Sequence, residues 1–245
     1  MTRLAISAEW TKFWSVRATW WCLIGGAALM TMYAVIAALS DPRPPHAIVA
    51  GGAVYLVEFC VISVATLFVT SEYTSGSIRS TLQWVPVRSR VTAAKAAVLV
   101  PVLFAYGILT AMLGMAVSKI FAWDGASTSF SQGTIAALGM GAYFALLGVL
   151  CLGVAFALRS AAGTLVTVMV LLLPLPLLLA SAISPAIATV FPSFAGMNAM
   201  VPPGEPNAVI GGLPPYGPWV AVLICACWAV AGAIGGTTIL NRRDA

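Results

Sequence analysis

The chain has 245 residues, of which 61% are hydrophobic and only 8% are charged. Soluble domains carry about 25% charged residues, so this composition excludes an ordinary soluble domain and predicts a membrane protein with several spans. The net charge of +5 does not indicate a nucleic-acid-binding protein. The basic residues stand at the ends of apolar runs and form no basic face with interleaved aromatic residues.

Residues 1–18 are the first predicted element, an amphipathic interfacial helix. Ile6, Trp10, Phe13 and Trp14 recur at helical spacing, and polar residues fall on the other face. A helix of this kind lies in the headgroup plane of a membrane, with its tryptophans at the interface. A short disordered N-terminus is the alternative.

Six apolar runs follow, each near the length of about 20 residues that a helix needs to cross a bilayer. They lie at about 19–39, 47–70, 96–121, 133–158, 163–182 and 217–240. Ten of the twelve lysine and arginine residues lie at the two termini, between the second and third runs, or after the fourth. The positive-inside rule then places both termini and loop 71–95 in the cytoplasm. We predict an all-α polytopic membrane protein, with residues 1–245 forming a single transmembrane domain.

Glu58 is an acidic residue near the middle of the second run. An acidic side chain there costs on the order of 2.5–3.5 kcal/mol on insertion, so such residues usually face a cavity or the bundle interior. Tyr55, Ile62 and Thr66 are predicted to share its face, the most polar face of the run. We expect Glu58 to be partly protonated, because desolvation favours the neutral acid. A neutral glutamic acid hydrogen-bonded to another helix for packing alone is the alternative.

The segment between the second and third runs is charged and rich in turn-forming residues. Ser75 can cap a short helix over residues 76–85, in which Ile78 and Leu82 share an apolar face and Arg79 faces away. Such a helix must rest on lipid, on the bundle or in the groove of a partner.

Charged residues flank this short helix. The basic residues expected to anchor the chain where it re-enters the membrane are Arg88, Arg90 and Lys95. Glu72 is expected to tie the loop to a basic group such as Arg17 or Arg159. A solvated loop carboxylate is the alternative for Glu72.

Proline interrupts the fifth run and the segment after it. Pro174 and Pro176 each remove a backbone donor and kink a helix. Residues 183–216 hold seven prolines but keep apolar stretches such as "AIATVF" and "FAGMNAMV". Short re-entrant or interfacial helices fit this pattern, and a proline-rich outer loop is the alternative. The one histidine, His46, is predicted to be a solvated residue of the loop after the first run.

Motifs for catalysis and nucleotide binding are missing from the sequence. It contains no GxxxxGK[ST] phosphate loop, no HExxH pair and no GxSxG turn. The five cysteines all fall within apolar runs and form no CxxC pair. We therefore predict that the chain by itself is not an enzyme and binds no metal.

Three short motifs resemble the permease subunits of bacterial ABC-2 type (type V exporter-like) ABC transporters. "EYTSGSIRSTL", residues 72–82, is similar to the family pattern E-Y-x-x-G-[ST]-[IL]-[RK] between the second and third spans. "SAEWTKFWSVRATWW" resembles the E-W-x-K-x-x-S-x-R-[ST] start of many of these permeases. "ALRSAAG", residues 157–163, looks like the second cytoplasmic turn of the family. The six-run layout with a broken outer segment also agrees.

The resemblance implies a transport role in the bacterial cytoplasmic membrane. Two permease copies, identical or different, would form the path for an exported substrate, and two separate ATPase subunits would bind ATP and Mg²⁺. The residues implied to couple the loop to the ATPase are Glu72, Tyr73, Gly76, Ile78, Arg79 and Leu82. The interfacial residues implied to pass on the motion are Trp10, Phe13 and Trp14. The candidates for lining the path or the seam between copies are Tyr55, Glu58, Ile62 and Thr66.

The large apolar surface of the spans fits a hydrophobic or amphipathic cargo, such as a drug, a peptide or a lipid. An ATP-independent secondary transporter or a membrane scaffold protein is the alternative function. A secondary transporter usually shows inverted repeats and several polar groups at the membrane midplane. This sequence has one ionisable midplane residue and no evident repeat.

Overall fold

The computed structural model of this chain describes residues 2–40, 43–77, 88–121, 127–207 and 212–242. Helices account for most of these residues, and none of them belongs to a β-strand. The helices of the first half are α1 (Thr2–Ser15), α2 (Arg17–Ser40), α3 (Pro45–Gly52), α4 (Glu58–Thr74) and α5 (Arg88–Phe121). Those of the second half are α6 (Phe130–Leu158), α7 (Ala161–Leu172), α8 (Pro174–Ala182), α9 (Pro185–Ala188), α10 (Pro192–Ala199) and α11 (Pro218–Arg242).

Six helical stretches within the described residues are long and apolar enough to cross a membrane. They are Arg17–Ser40, Pro45–Thr74, Arg90–Phe121, Phe130–Leu158, Ala161–Ala182 and Pro218–Leu240. Each of them covers one of the six predicted apolar runs. The predicted all-α polytopic membrane fold is therefore confirmed, and the chain is a membrane-embedded protein.

A π-helical turn interrupts the second span. Residues Ala53–Val57 form this turn between α3 and α4. A π-turn adds one residue to the helical ladder and so rotates the helix that follows it, and such turns are frequent at functional sites. Tyr55 within the turn is 45% exposed, whereas Glu58 directly after it is fully buried. The prediction that these two residues share one face is wrong, because Tyr55 lies within the π-turn, which changes the helical register before Glu58.

Helix α6 lies at the centre of the bundle, between α5 and α11. Small residues allow the close approach on both sides. A Cβ on Gly107 of α5 would meet the backbone of Gly141, and a Cβ on Gly153 would meet the backbone of Gly232 in α11. Gly236, one turn further along, also lies against Gly153. The GxxxG pair of the last span is thus a helix-packing contact, as such pairs are in other membrane helices.

The fifth span is broken at the predicted proline. Helix α7 ends at Leu172, and α8 begins at Pro174. The chain then forms the two short helices α9 and α10. Most of α10 is buried against α11 and α6. Two short helices do lie in the first half of segment 183–216, whereas its described residues after Ala199 form no helix. The re-entrant or interfacial position of these helices stays a prediction.

Helix α1 packs against α5 and α2. Phe13 is fully buried, and its ring meets the ring of Phe68 edge to face, with 5.2 Å between the centroids. Trp10 is 48% exposed, and Trp14 is partly buried. The predicted helix is confirmed, but part of its apolar face lies in the protein core rather than on lipid. Its depth in the membrane stays a prediction.

With six spans, α1 and the end of α11 lie at the same end of the bundle. We call this end, which carries Glu72 and Lys95, the charged end. The other end carries His46 and Glu205 and is called the opposite end.

Candidate functional site: a buried charge network

Four charged side chains from three helices meet at the charged end, and we call them the charge network. Glu9 and Lys12 come from α1, Glu72 from the last turn of α4, and Lys95 from α5. Lys95 Nζ lies 2.7 Å from Glu9 Oε2 and 2.9 Å from Glu72 Oε1. Lys12 Nζ lies 2.8 Å from Glu9 Oε1 and 2.9 Å from Glu72 Oε1. Each lysine therefore bridges both carboxylates.

Lys95 is fully buried, a condition that a lysine tolerates only when its charge is compensated. An ammonium group has three donors. Here they have three acceptors, the carboxylates of Glu9 and Glu72 and the backbone carbonyl of Phe68 at 3.2 Å. The ammonium also lies 4.2 Å from the centroid of the Phe68 ring, a cation–π contact. The donors of Lys95 are thus all satisfied inside the protein.

The network contains two positive and two negative charges, so it is neutral as a unit. Moving single charges out of water costs several kcal/mol each, and a buried set is stable only if its members compensate one another. Removing one member of such a set typically costs about 3–5 kcal/mol, because it leaves a buried charge without its partner. The four side chains therefore tie α1, α4 and α5 to one another.

Lys12 forms the rim of the network, since its side chain is 41% exposed. Burial opposes its charge, but its hydrogen bonds to Glu9 and Glu72 and the charges of these carboxylates outweigh burial, so the pKa of Lys12 is raised above 10.5. A lysine whose pKa is higher in the folded state than in the unfolded state stabilises the fold. This stabilisation is fully present at any pH below the unfolded-state pKa, and it is lost as the pH rises through the folded-state pKa. The contribution of Lys12 is therefore constant around neutral pH.

The turn after Glu72 directs the chain out of the bundle. Helix α4 ends at Thr74 and is capped by Ser75, whose hydroxyl donates to the carbonyl of Ser71 at 2.8 Å. Gly76 follows with φ of +72°, a left-handed conformation that favours glycine. Ser75 therefore caps the end of the preceding helix rather than the start of a helix at residue 76. The rest of the predicted helix 76–85, from residue 78 on, lies outside the described residues.

A cavity of about 320 Å³ lies beside the network. Five of its ten lining residues carry hydroxyl groups, and Lys12, Glu72 and three apolar residues line it as well. The hydroxyl residues are Ser15, Thr19, Ser71, Ser75 and Ser77. The second carboxylate oxygen of Glu72, Oε2, is buried and has no hydrogen-bond partner among the described residues.

The structure places the residues that were predicted to couple the loop to an ATPase in different environments. Glu72 does tie the loop to basic groups, but these are Lys12 and Lys95 rather than Arg17 or Arg159. The guanidinium of Arg159 instead lies 5.6 Å from the centroid of the Tyr73 ring.

The remaining coupling residues divide between the turn and the rest of the loop. Gly76 forms the turn after α4. Ile78, Arg79 and Leu82 lie outside the described residues, so their role stays a prediction.

Three of the four path candidates lie inside the bundle of this chain. Glu58, Ile62 and Thr66 are fully buried, and only Tyr55 has a substantial exposed surface. Glu58 Oε2 accepts a hydrogen bond of 2.6 Å from the hydroxyl of Tyr143 in α6. Within one copy the chain's own helices enclose Glu58, and its place beside a path or a seam between copies stays a prediction. A role of the other three in a path stays a prediction.

His46 is not a solvated loop residue, and that prediction is wrong. It lies in the first turn of α3 and is buried. Its Nε2 lies 2.5 Å from Glu205 Oε2, and its Nδ1 lies 3.2 Å from Thr128 Oγ1. Gln132 Nε2 donates to Glu205 Oε1 at 2.5 Å. Pro45 at the first helical position was the available signal, since proline favours that position.

A scan against protein-family models gives no match, and neither does a search of curated proteins. The function of this chain is therefore inferred from its residues, its fold and the charge network.

Proposed function

We propose that this chain is the membrane-spanning permease subunit of an ATP-driven exporter of the ABC-2 type. Two copies form the path, and each works with a separate ATPase subunit that binds ATP and Mg²⁺. The chain itself carries no catalytic group. The charged end faces the cytoplasm of a bacterial cell, and both termini lie there. The cargo is hydrophobic or amphipathic.

The observation that carries this proposal is the position of Lys95 between Glu9 and Glu72. Glu72 stands where the chain leaves the bundle, and Lys95 stands one to two turns after it returns. The network therefore clamps both ends of loop 71–95 to α1. A push on the loop by a docked ATPase would move α1, α4 and α5 together, since the network joins the three helices. This is the mechanical property that a coupling loop needs.

The fold supports the same proposal in a second way. The second span runs from the charge network at Glu72 to the buried His46 at the opposite end. There His46 contacts Glu205, which lies in segment 183–216 between the fifth and sixth spans. A displacement at the charged end would thus reach segment 183–216 through this one span and its π-turn.

The test is reconstitution with an ABC-type ATPase subunit from the same cell, sought first in the reading frames beside this chain. We expect the tagged chain to retain the ATPase in detergent, and the purified complex to hydrolyse ATP faster when an amphipathic dye is added. In liposomes, ATP should drive transport of that dye. Lys95→Met should lower the coupled activity, and Arg90→Met, an exposed basic residue of the same helix, should leave it unchanged.

Dye transport that proceeds without ATP and without any ATPase subunit would contradict the proposal. That result would favour the alternative of a secondary transporter. Failure of the two proteins to bind each other in detergent and in liposomes would also overturn it.

A further inference from the structure

Glu58 is a fully buried carboxyl group in the middle of the bundle, enclosed by α4, α6 and α10. Within the part of the chain that the structure describes, it forms no ion pair with a basic side chain. An isolated carboxylate in such a place costs several kcal/mol even after the surroundings relax. The neutral acid avoids this cost, so burial without a basic partner favours the protonated form of this carboxyl group.

The hydrogen bonds around Glu58 fit a neutral acid. The hydroxyl of Tyr143 donates to Oε2 at 2.6 Å. The other oxygen, Oε1, is buried and has no standard hydrogen bond to any described residue. A neutral acid places its own proton on that oxygen and becomes a donor there.

Ser193 provides the matching acceptor. Its hydroxyl is fully buried beside Glu58 and Tyr143, and it also lacks a standard hydrogen bond within the described residues. Glu58 Oε1 and Ser193 Oγ are thus two neighbouring buried groups that can act as hydrogen-bond partners for each other. A small movement of either group completes the bond between them.

Ser193 is the second residue of α10, so this contact reports the position of that helix. Helix α10 sits closely on α6 through two glycines. A Cβ on Gly196 would meet the ring of Tyr143, and a Cβ on Gly139 would meet the carbonyl of Ala199. Tyr143 therefore touches both the carboxyl group and the helix. If α10 moved away, water could reach Glu58 and the penalty for its charge would fall.

We propose that Glu58 is a proton-binding site whose occupancy is linked to the seating of α10 on α6. The proton stays on the carboxyl group while α10 is seated and passes to water when α10 leaves. Deprotonation in the closed bundle would leave an unpaired charge under α10 and would favour its release. The inference concerns this chain alone and does not need the proposed exporter complex.

The other titratable groups around the site do not provide a positive charge. Tyr143 and Cys151 face Glu58 from α6, and Cys225 of α11 faces Tyr143. Tyr33 of α2 faces Gly51, two turns before Glu58. Among the described residues, Glu58 is thus a carboxyl group of the bundle interior that has no ionic partner.

Hydrogen exchange of α10 tests the proposal in the purified chain held in lipid nanodiscs. Exchange is measured by mass spectrometry over a range of pH and corrected for the intrinsic chemical rate. If the release of α10 from α6 also releases one proton from Glu58, the equilibrium constant for this opening depends on pH. It then rises about tenfold per pH unit once the pH exceeds the pKa of Glu58 in the open state. Glu58→Gln replaces the carboxylic acid by an amide of similar size, which can form hydrogen bonds but has no acidic proton to release. We expect the corrected exchange of α10 to become independent of pH in this variant.

Two further variants separate a proton site from a general packing effect. Glu205→Gln removes another carboxyl group near the broken segment and should keep the wild-type pH dependence. Ser193→Ala should raise the exchange of α10 at every pH and also keep the dependence. Equal pH profiles in wild type and Glu58→Gln would overturn the proposal, and so would a flat profile in wild type.

A second measurement does not depend on the folding of any variant. Infrared spectroscopy of the wild-type chain at pH 8 should show the carbonyl band of one protonated carboxylic acid, although carboxyl groups in water are ionised there. Absence of that band would overturn the proposal.

Discussion

Lys95 Nζ lies 2.9 Å from Glu72 Oε1, although the two residues are 23 positions apart in the chain. The contact closes the base of loop 71–95 and fixes the distance between its two ends. Glu9 joins the same ammonium from α1 at 2.7 Å. The loop and α1 are thus bound to the same buried charge, so neither can move far without the other.

Lys95→Met tests the stability of this arrangement. The substitution leaves the buried carboxylates of Glu9 and Glu72 with Lys12 alone, so we expect the free energy of unfolding to fall by about 3–5 kcal/mol. Arg90→Met removes an exposed charge of the same helix and should change it by less than about 0.5 kcal/mol. Unfolding of both variants in detergent, followed by circular dichroism, gives the comparison.

A charge exchange separates the ion pair from the packing of the lysine chain. The double variant Lys95→Glu with Glu72→Lys restores opposite charges at the two positions and should recover part of the lost stability. Equal stability of wild type and Lys95→Met would show that the network contributes nothing.

The apolar residues of the loop are expected to bind the ATPase. Ile78→Asp combined with Leu82→Asp removes two contacts of about 1.5–3 kcal/mol each if they are buried. We expect this variant to reach the membrane and keep its fold, but to lose the ATPase in a detergent pull-down. A control variant with Ser80→Asp and Gln83→Asp adds the same two charges to the same stretch while keeping both apolar residues. Retention of the ATPase by the first variant would contradict the prediction.

The tryptophans of α1 are expected to differ in their access to lipid. Trp10 is 48% exposed, whereas Trp14 contacts the rings of Trp10, Phe13 and Trp20. A quencher attached at shallow lipid depth should therefore quench Trp10 more strongly than Trp14, and a deep quencher should have less effect on Trp10. Variants that keep only one tryptophan allow the measurement. Equal quenching of Trp10 at all depths would exclude an interfacial position.

The apolar runs were sufficient to predict the six spans, since a span needs only length and low polarity. The charge network was not predictable in the same way. Glu9, Glu72 and Lys95 have no common spacing, and only the fold brings them together. Glu9 and Lys12 stand three apart, a spacing that allows contact on one helix, but it does not indicate that the pair is buried.

The π-turn explains why the face of the second span was predicted incorrectly. The spacing argument assumes a continuous α-helix with 3.6 residues per turn. The turn at Ala53–Val57 changes the register, so Tyr55 faces outward and Glu58 faces inward. No local residue type in that turn distinguishes it from an ordinary helical turn.

The hydrogen bonds at the opposite end should also contribute to stability. Glu205 is 30% exposed, and its two oxygens contact His46 and Gln132 at 2.5 Å each. Glu205→Gln replaces the charged acceptor by a neutral amide, so we expect a loss of about 1.5–3 kcal/mol. Ser181→Ala is the control, because the Ser181 hydroxyl is exposed and bonds only within its own helix. Thermal unfolding that is unchanged in Glu205→Gln would contradict the expected contribution.

The glycines of the last span provide a matched pair of variants on neighbouring residues. Gly236 is buried against the backbone of Gly153, whereas Gly235 faces open space with no atom near its Cβ position. Gly236→Leu must push α11 away from α6, and overpacking of this kind typically costs about 1–3 kcal/mol or more. Gly235→Leu adds a side chain on the outer face and should not lower stability, since leucine favours a helix more than glycine does. Thermal unfolding in the same detergent compares them. Equal melting temperatures would show that α6 and α11 do not need the close contact, because only Gly236→Leu alters it.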